Sequence, residues 1–360
     1  MNILADSSLP GLAQAFPEPF HLTMYHHPEE VTPLLPGQDV LLCRANLKVN
    51  HALLQEHRPT YVATASSGTD HLDHEWLHSQ NIQTIDAKGC NAQAVADYMV
   101  SCLAYLDQQQ VIQGNKAGII GLGKVGTQVN ARLQAAGFQT VLYDPLKALT
   151  EPLTFQSSTL EELYHIDLLC IHAELHNTSP HPSLNLIDST FLEQLNPSCV
   201  IINAARGGII NEEALLRTNF LYCTDVYCNE PDVNPRIIDK TLLCTPHIAG
   251  HSLEAKYVAV AMVSKTIHQI AGLAEPDYAF PSTVNLLKAK KDINWNETVL
   301  KIYDPSTETQ LLKNALQLSS TFLDVRKKHQ QRHDFVLYSN NSLDKKTRLL
   351  LGDLSSEIGD

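Results

Sequence analysis

A short glycine-rich segment constrains the fold of this chain more than any other feature. Residues 116–126 read Lys-Ala-Gly-Ile-Ile-Gly-Leu-Gly-Lys-Val-Gly, a strand-like apolar run that ends in the spacing G-x-G-x-x-G at Gly121, Gly123 and Gly126. The first glycine permits a tight turn, the second lets the backbone approach a pyrophosphate, and the third lets the next helix pack closely on the strand. The segment therefore predicts a strand–loop–helix unit that binds a dinucleotide.

The residues after this loop complete the expected pattern. Residues 125–137 have the apolar spacing of a helix, and residues 138–143 read as a second strand that ends at Asp144, 21 residues after Gly123. The helix start carries the backbone N–H groups that we expect to face the pyrophosphate: Lys124, Val125 and Gly126. A carboxylate at Asp144 can accept hydrogen bonds from ribose hydroxyls. A glycine-rich turn that binds no ligand could also have the G-x-G-x-x-G spacing. The full order of strand, loop, helix, second strand and acid instead favours a bound dinucleotide, and the acid favours NAD over NADP.

Charge and composition exclude several classes of protein. The 360 residues carry a formal net charge of −13, which disfavours nucleic acid and anionic membranes as partners. No Lys or Arg precedes Arg44, so we expect neither a secretory leader nor an Arg-rich transit peptide. No apolar run reaches the ~18 residues of a membrane span. The eight cysteines contain no C-x-x-C pair and are interpreted as reduced core residues, which predicts a cytoplasmic protein of two or three domains.

The rhythm of strands and helices predicts two α/β lobes. Short apolar runs alternate with helical segments in residues 1–88, and long helices are predicted over 92–110 and 252–273. Between the long helices the βα rhythm of the dinucleotide unit continues in three further strand-like runs: Ile166–His172, Cys199–Ala204 and Leu221–Val226. The fold class is therefore α/β with doubly wound parallel sheets, and the long helices would form a hinge beside an active-site cleft.

The predicted domain boundaries lie close to the starts of the two long helices. A flavodoxin-like substrate domain comprises 1–91 and 255–280, and a Rossmann NAD-binding domain comprises 92–254. Pro276 and Pro281 mark a linker. Residues 281–360 then read as a small α+β module, with a basic helix near 325–333 and a strand at 335–338.

Three side chains with complementary chemistry follow the downstream strands. Arg206 lies in N-A-A-R-G-G, Glu230 in D-V-Y-C-N-E-P and His247 in T-P-H-I-A-G. The guanidinium fork of an arginine suits a carboxylate, and a histidine suits the proton transfer that accompanies hydride transfer from an alcohol. A nearby glutamate would orient the imidazole and favour its protonated form. Because open α/β sheets bind ligands beyond the carboxyl ends of their strands, the three residues together predict oxidation of a hydroxy acid.

A metal site is the weaker interpretation of the many histidines. His71, His74 and His78 have the spacing i, i+3, i+7, which would place them on one face of a short helix. No H-E-x-x-H motif accompanies them, and the segment has the composition of a polar surface helix. We therefore expect no metal.

The order of the motifs resembles the D-isomer-specific 2-hydroxyacid dehydrogenases over about residues 1–275. The resemblance implies that Arg206, Glu230 and His247 are the catalytic residues. It also implies further cofactor contacts: Asp144, Ala173, Ala204, Asp225 and Gly250.

Within the family, the chain is most similar to an enzyme that oxidises a phosphorylated hydroxy acid and has an extra C-terminal dimerisation domain. The segments that carry this likeness are S-G-T-D-H-L-D (67–73), K-G-C-N-A (88–92), H-I-A-G-H-S-L-E-A-K (247–256), I-Y-D-P (302–305) and F-L-D-V-R-K (322–327). It implies a small-molecule substrate and a homodimer.

Four positions depart from what that enzyme usually has. Ala45 stands in place of a substrate-contacting serine, and Ser66 in place of a threonine. His251 stands in place of a substrate-contacting tyrosine, and Ala173 in place of a cofactor-contacting threonine. Ser66 retains a hydroxyl and His251 can still donate a hydrogen bond, whereas Ala45 can do neither.

A phosphate needs cations other than Arg206, which is assigned to the carboxylate. Arg44 and Lys48 follow the strand at 40–43, beside Ala45, although both could equally be solvated surface charges. Weaker candidates would come from a partner subunit: Arg326, Lys327 and Lys328.

Two other functions remain open from the sequence. One is a dehydrogenase of the same family that acts on phosphoglycerate or on a short 2-hydroxy acid. The other is an NAD(H)-sensing corepressor built on the same fold.

Overall fold

The computed structural model describes residues 1–278, 293–329 and 332–353. The strands are β1 Asn2–Asp6, β2 His21–Tyr25, β3 Val40–Cys43, β4 Tyr61–Thr64, β5 Gln83–Ile85, β6 Lys116–Ile120, β7 Gln139–Tyr143, β8 Leu168–Ile171, β9 Val200–Asn203, β10 Leu221–Thr224 and β11 Leu243–Cys244. The helices are α1 Leu12–Ala15, α2 Val31–Leu34, α3 His51–Leu54, α4 His74–Ser79, α5 Ala92–Gln108, α6 Lys124–Ala136, α7 Pro145–Thr150, α8 Ser189–Gln194, α9 Glu212–Leu215, α10 Pro235–Lys240, α11 Leu253–Ile270, α12 Trp295–Ile302, α13 Ser306–Lys313, α14 Leu318–Lys328 and α15 Lys345–Leu350. Short 3₁₀ helices lie at Pro28–Glu30, Glu161–His165 and Phe335–Tyr338.

The first compact unit contains residues 1–91 and 252–278. Its five strands are all parallel, in the order β2-β1-β3-β4-β5. Every residue of β3 is buried, and the apolar face of α11 joins the same core through Ala259, Val260 and Val263. Because the chain passes from one side of β1 to the other between β2 and β3, the ends of β1 and β3 flank the switch point where such sheets bind ligands.

The second unit contains residues 92–251 and the described residues from 293 onward. Its six strands are also parallel, in the order β11-β10-β9-β8-β6-β7. β8 and β9 are buried along their whole length, as expected for strands covered on both faces. Here the switch point lies between β6 and β8. The predicted α/β class with two doubly wound parallel sheets is confirmed.

The described part of the C-terminal segment packs within the second unit, and a third domain at 281–360 stays a prediction. There α12 lies against α5 and α15 against α6. A buried ion pair supports this packing: Arg132 Nη2 lies 2.6 Å from Asp97 Oδ1, and Asp97 Oδ2 accepts a hydrogen bond from the Phe335 N–H at 2.8 Å.

Two details of the C-terminal prediction are wrong. The apolar run Phe335–Tyr338 is a 3₁₀ helix and not a strand, because Phe335 is buried in the core while its N–H is bound by Asp97 and not by a neighbouring strand. The basic helix is α14, which begins well before residue 325 and ends at Lys328. Across residues 293–329 and 332–353 the segment contains helices and no strand, so its α+β character is not confirmed. Pro281 lies outside the described residues.

No helix within the described ranges combines the length and the hydropathy that a membrane crossing requires.

Candidate active site

The glycine-rich loop follows β6 and has the geometry that its sequence predicted. Gly121 has φ +90°, and a Cβ there would lie 2.5 Å from the backbone nitrogen of Ala173. A Cβ on Gly126 would collide with the carbonyl oxygen of Gly121, so α6 packs directly on the turn. Gly123 has no neighbouring atom within 4 Å of a Cβ position, which leaves open space on the ligand side of the loop.

Gly123 is also the N-cap of α6, and no side chain caps that helix. The first-turn N–H groups of Lys124, Val125 and Gly126 therefore point into the open space beside Gly123, where an anion can accept them. Ala173 follows β8 by two residues, on the other side of the switch point. These features fit a bound dinucleotide.

Asp144 follows β7 and lies against the glycine-rich loop. One carboxylate oxygen accepts the N–H of Leu122 at 2.8 Å, and the other accepts the N–H of Lys147 at 2.8 Å as the N-cap of α7. Asp144 thus connects the loop with α7.

The predicted catalytic residues follow three adjacent strands of the second sheet. Arg206 comes after β9, Glu230 after β10 and His247 after β11. Nδ1 of His247 lies 2.7 Å from Oε2 of Glu230, with the side chains 32% and 19% exposed. Since a carboxylate can only accept, Nδ1 carries the hydrogen, and Nε2 is left for a substrate.

The Glu230 carboxylate has two further neighbours. Its Oε1 accepts the N–H of Tyr227 at 3.1 Å, and Arg326 Nη1 lies 3.9 Å from Oε2. Burial raises the pKa of Glu230, but the hydrogen bond and charge of His247 outweigh this effect, so the pKa lies below its ordinary value. Glu230 is therefore ionised at neutral pH.

Arg326 was considered from the sequence only as a residue of a partner subunit. In the structure it reaches Glu230 of its own chain from α14. The sequence could not predict this contact, because nothing local in Val325–Lys328 indicates which strand end lies beside Arg326.

The turn that carries His247 is held by Asp225. His247 has φ +56°, in the left-handed region, and its N–H donates to the carbonyl of Asp225 at 2.8 Å. The Asp225 carboxylate is 1% exposed and accepts the Thr245 hydroxyl at 2.7 Å and the N–H groups of Ile248 and Ala249 at 2.8 Å each. Burial raises the pKa of Asp225 although these donors oppose it. The structural role of Asp225 was missed by the sequence reasoning, and its contact with a cofactor stays a prediction.

Arg206 and Ala204 lie in the loop after β9. Arg206 is half-buried, and its Nη1 donates to the carbonyl of Ala205 at 2.8 Å. Asn203 donates from Nδ2 to the carbonyl of Arg206 at 3.0 Å, which closes the loop. A Cβ on Gly207 would collide with the carbonyl of Tyr227, so the loop approaches the β10 side closely.

Gly250 and His251 follow the same turn as His247. The ring of His251 lies with its centroid 6.1 Å from that of His329, whose Nδ1 is 3.0 Å from Glu308 Oε1. His329 and Glu308 both belong to the C-terminal segment, and neither was found from the sequence.

The predicted substrate residues of the first unit lie at the ends of β3 and β4. Arg44 and Ala45 follow β3, and Ser66 follows β4 by two residues. Arg44 Nε lies 2.9 Å from Oδ2 of Asp6, the last residue of β1, with the side chains 42% and 7% exposed. This ion pair spans the switch point, and Asp6 is a member that the sequence did not indicate.

The histidines 71, 74 and 78 do not share a helix face. α4 begins at His74 after the N-cap Asp73, and His71 precedes it, with Nε2 2.9 Å from the hydroxyl of Thr64. Over the ranges that the structure describes, no three His, Cys, Asp or Glu side chains are grouped to hold a metal ion.

Comparisons with known proteins identify the family of this chain. The profile of the family "D-isomer specific 2-hydroxyacid dehydrogenase, NAD binding domain" matches residues 102–249. The chain is 33% identical to a protein of Coxiella burnetii (strain RSA 493) over 339 residues, which cover 91% of this chain and 92% of the relative. It is 58% identical to a protein of Legionella pneumophila (strain Philadelphia 1) over 352 residues, which cover 97% of this chain and 100% of the relative.

The chain therefore belongs to the D-isomer-specific 2-hydroxyacid dehydrogenases, and it is an NAD-dependent dehydrogenase. The Legionella and Coxiella relatives are both erythronate-4-phosphate dehydrogenases by name.

Solved structures show the same fold. The NAD⁺-bound 3-phosphoglycerate dehydrogenase of Entamoeba histolytica superposes with a TM-score of 0.64 at 20% identity, over 78% of this chain and 99% of its own. The NAD complex of formate dehydrogenase from Staphylococcus aureus gives 0.61 at 21% identity, over 78% of this chain and 98% of its own.

Proposed function

We propose that this protein oxidises 4-phospho-D-erythronate to 2-oxo-3-hydroxy-4-phosphobutanoate with NAD, as a step of pyridoxal 5′-phosphate biosynthesis. The observation that carries the proposal is the 2.7 Å contact between His247 Nδ1 and Glu230 Oε2 beside the arginine of the neighbouring strand. The names of the full-length relatives support the choice of substrate.

Each catalytic side chain has a defined task. Arg206 binds the substrate carboxylate with its planar fork. Nε2 of His247 takes the proton of the C2 hydroxyl, while Glu230 holds the imidazole through Nδ1 and stabilises the positive charge that forms. NAD, when bound, supplies the nicotinamide ring that accepts the C2 hydride.

The cofactor is held by the loops of the second unit. The first-turn N–H groups of α6 bind the pyrophosphate, and Asp144 binds the ribose diol. The remaining contacts come from residues after β8, β9, β10 and β11: Ala173, Ala204, Asp225 and Gly250.

The phosphate and hydroxyl end of the substrate is assigned to the first unit. Arg44 supplies a cation for the phosphate, since a charge-assisted hydrogen bond to phosphate is strong. Ser66 supplies a hydroxyl. Ala45 cannot make the hydrogen bond that the serine of similar enzymes makes to the substrate. His251 of the second unit takes the place of their tyrosine as a hydrogen-bond donor.

A cytoplasmic homodimer is part of the proposal. The C-terminal segment exposes three leucines to solvent, Leu311, Leu316 and Leu323, of which Leu316 is 102% exposed. Burial of these side chains against a second copy of the chain would remove apolar surface from water. Light scattering should give a dimer mass, and Leu316→Glu should shift the protein toward monomer without loss of secondary structure.

A substrate panel tests the reaction. NADH formation is followed with 4-phospho-D-erythronate, D-erythronate, 3-phospho-D-glycerate and D-lactate. We expect kcat/KM to be highest for 4-phospho-D-erythronate. Preference for phosphoglycerate or lactate would assign the chain to another substrate of the family, and absence of turnover with every substrate would favour the corepressor alternative.

A further inference from the structure

A chain of three hydrogen bonds lies behind Ser66 in the first unit. The Ser66 hydroxyl lies 2.8 Å from the carbonyl oxygen of Gly68 and 2.8 Å from the Thr64 hydroxyl. The Thr64 hydroxyl in turn lies 2.9 Å from Nε2 of His71. His71 belongs to the segment S-G-T-D-H-L-D (67–73) and has no role in the chemistry proposed above.

The direction of each hydrogen bond follows by elimination. A carbonyl oxygen can only accept, so the Ser66 hydroxyl donates its only hydrogen to the carbonyl of Gly68. The Thr64 hydroxyl must then donate its only hydrogen to the Ser66 oxygen. His71 must therefore donate from Nε2 to Thr64, which fixes the Nε2–H tautomer if the ring is neutral.

Burial keeps this arrangement in place. Thr64 is 0% exposed and cannot contact a ligand, whereas Ser66 is half-buried at the end of β4. Burial lowers the pKa of His71 to about 4, so the ring is neutral at neutral pH. Hydrogen bonds that point in one direction polarise one another, which makes reversal of a single member unfavourable.

We propose that Thr64 and His71 are positioning residues that orient the Ser66 hydroxyl so that it presents a lone pair to the substrate. A lone pair attracts a donor. Of the groups on 4-phospho-D-erythronate, the carboxylate and phosphate offer only acceptors at neutral pH, and the C2 hydroxyl donates to His247. Ser66 therefore recognises the C3 hydroxyl. This inference rests on the proposed function, because the C3 hydroxyl belongs to that substrate.

The test compares two substrates in matched variants. The substrates are 4-phospho-D-erythronate and 2-hydroxy-4-phosphobutanoate, which lacks only the C3 hydroxyl. Wild type should prefer the first by about three- to tenfold in kcat/KM, the size of one hydrogen bond, mainly through KM. Ser66→Ala and Thr64→Val should each remove most of this preference.

Two variants of His71 distinguish the orientation of the Ser66 hydroxyl from a simple packing role of the imidazole. His71→Gln retains an N–H donor at the end of the side chain and should keep the preference, whereas His71→Leu should lose it. Ser67→Ala is the matched control, because its hydroxyl accepts the N–H of Gly89 at 3.1 Å and takes no part in the chain. Thermal unfolding of each variant checks that it is folded, and the His71 pair decides the question if Thr64→Val does not fold.

The outcomes are distinct. Suppose that wild type prefers 4-phospho-D-erythronate and that Thr64→Val and His71→Leu show the same preference. The positioning role is then wrong, although the proposed function holds. If Ser66→Ala slows both substrates by the same factor, Ser66 does not recognise the C3 hydroxyl. If wild type turns over neither substrate, the proposed function itself fails, and the inference with it.

Discussion

Nδ1 of His247 lies 2.7 Å from Oε2 of Glu230, although the two residues are 17 positions apart in the chain. The contact exists because β10 and β11 are adjacent parallel strands, so the loops after them meet at one edge of the sheet. It fixes which imidazole nitrogen carries a hydrogen and so which one can act as a base. The proposed chemistry depends on this pair more than on any other contact.

Replacement of the imidazole should abolish most turnover. His247 has φ +56°, which asparagine tolerates better than alanine, so His247→Asn is the safer variant. We expect kcat to fall about 10²–10⁴-fold, the usual range for a positioned acid–base group, with NAD affinity little changed. Steady-state NADH formation and equilibrium NAD binding measure the two effects. Near-normal turnover would show that another group is the base.

Asp144 should set the preference for NAD. Its carboxylate would repel a 2′-phosphate, so Asp144→Asn should reduce the ratio of kcat/KM for NAD to that for NADP by about tenfold or more. Asparagine can still cap α7, but its NH₂ group then faces the N–H of Leu122, so Asp144→Asn should lower the free energy of unfolding by about 1 kcal/mol. Asp144→Ala should lose both hydrogen bonds and be less stable still. Equal use of both cofactors by wild type would contradict the assignment.

Asp225 should be important for stability as well as for activity. An asparagine at this position presents an NH₂ group to one of the two backbone N–H donors, of Ile248 or of Ala249. Asp225→Asn should therefore lower the free energy of unfolding by about 1–3 kcal/mol and lower kcat through displacement of His247. Urea unfolding is the measurement, with Asp239→Asn as an exposed control. A stability equal to wild type would mean that the turn does not depend on Asp225.

Arg44 should bind the phosphate of the substrate. Arg44→Ala should raise KM for 4-phospho-D-erythronate by about 10–100-fold, and hardly affect the weak activity on D-erythronate. Asp6→Asn is the control, because it breaks the 2.9 Å ion pair and retains the cation. An equal loss on both substrates, or a similar rise in KM for Asp6→Asn, would assign Arg44 to structure and not to the phosphate.

His71 should make the fold sensitive to mild acid. Burial lowers the pKa of its imidazole from 6.5 to about 4, so below pH 6.5 the unfolded chain takes up a proton that the folded chain resists. The contribution of His71 is thus fully present above pH 6.5 and is lost as the pH falls toward 4. Urea unfolding between these limits should show a shallower loss of stability in His71→Gln than in wild type. The exposed His78→Gln should behave as wild type, and identical slopes in all three proteins would refute the effect.

The sequence by itself determined those features that depend on residues close together in the chain. Neither Gly121 nor Gly126 has room for a Cβ, and so the spacing of the glycines made the loop predictable. The apolar periodicity of α5 and α11 located both long helices to within a few residues, since a helix buries one stripe of its own side chains. Arg206 and Glu230 were predicted because each lies a few residues beyond a strand-like run, and His247 because it lies where the second long helix begins.

Only the tertiary structure decided which distant residues meet. The order of strands in each sheet places Asp6 beside Arg44 and brings Glu230 to His247, and strand order has no local signature. The segment Phe335–Tyr338 has the apolar composition of a strand, yet contacts with α5 make it a 3₁₀ helix. Arg326 contacts Glu230, and Thr64 contacts Ser66 and His71. The physical reason is the same in both cases: the packing of distant segments determines these partners, and the neighbouring residues in the sequence do not.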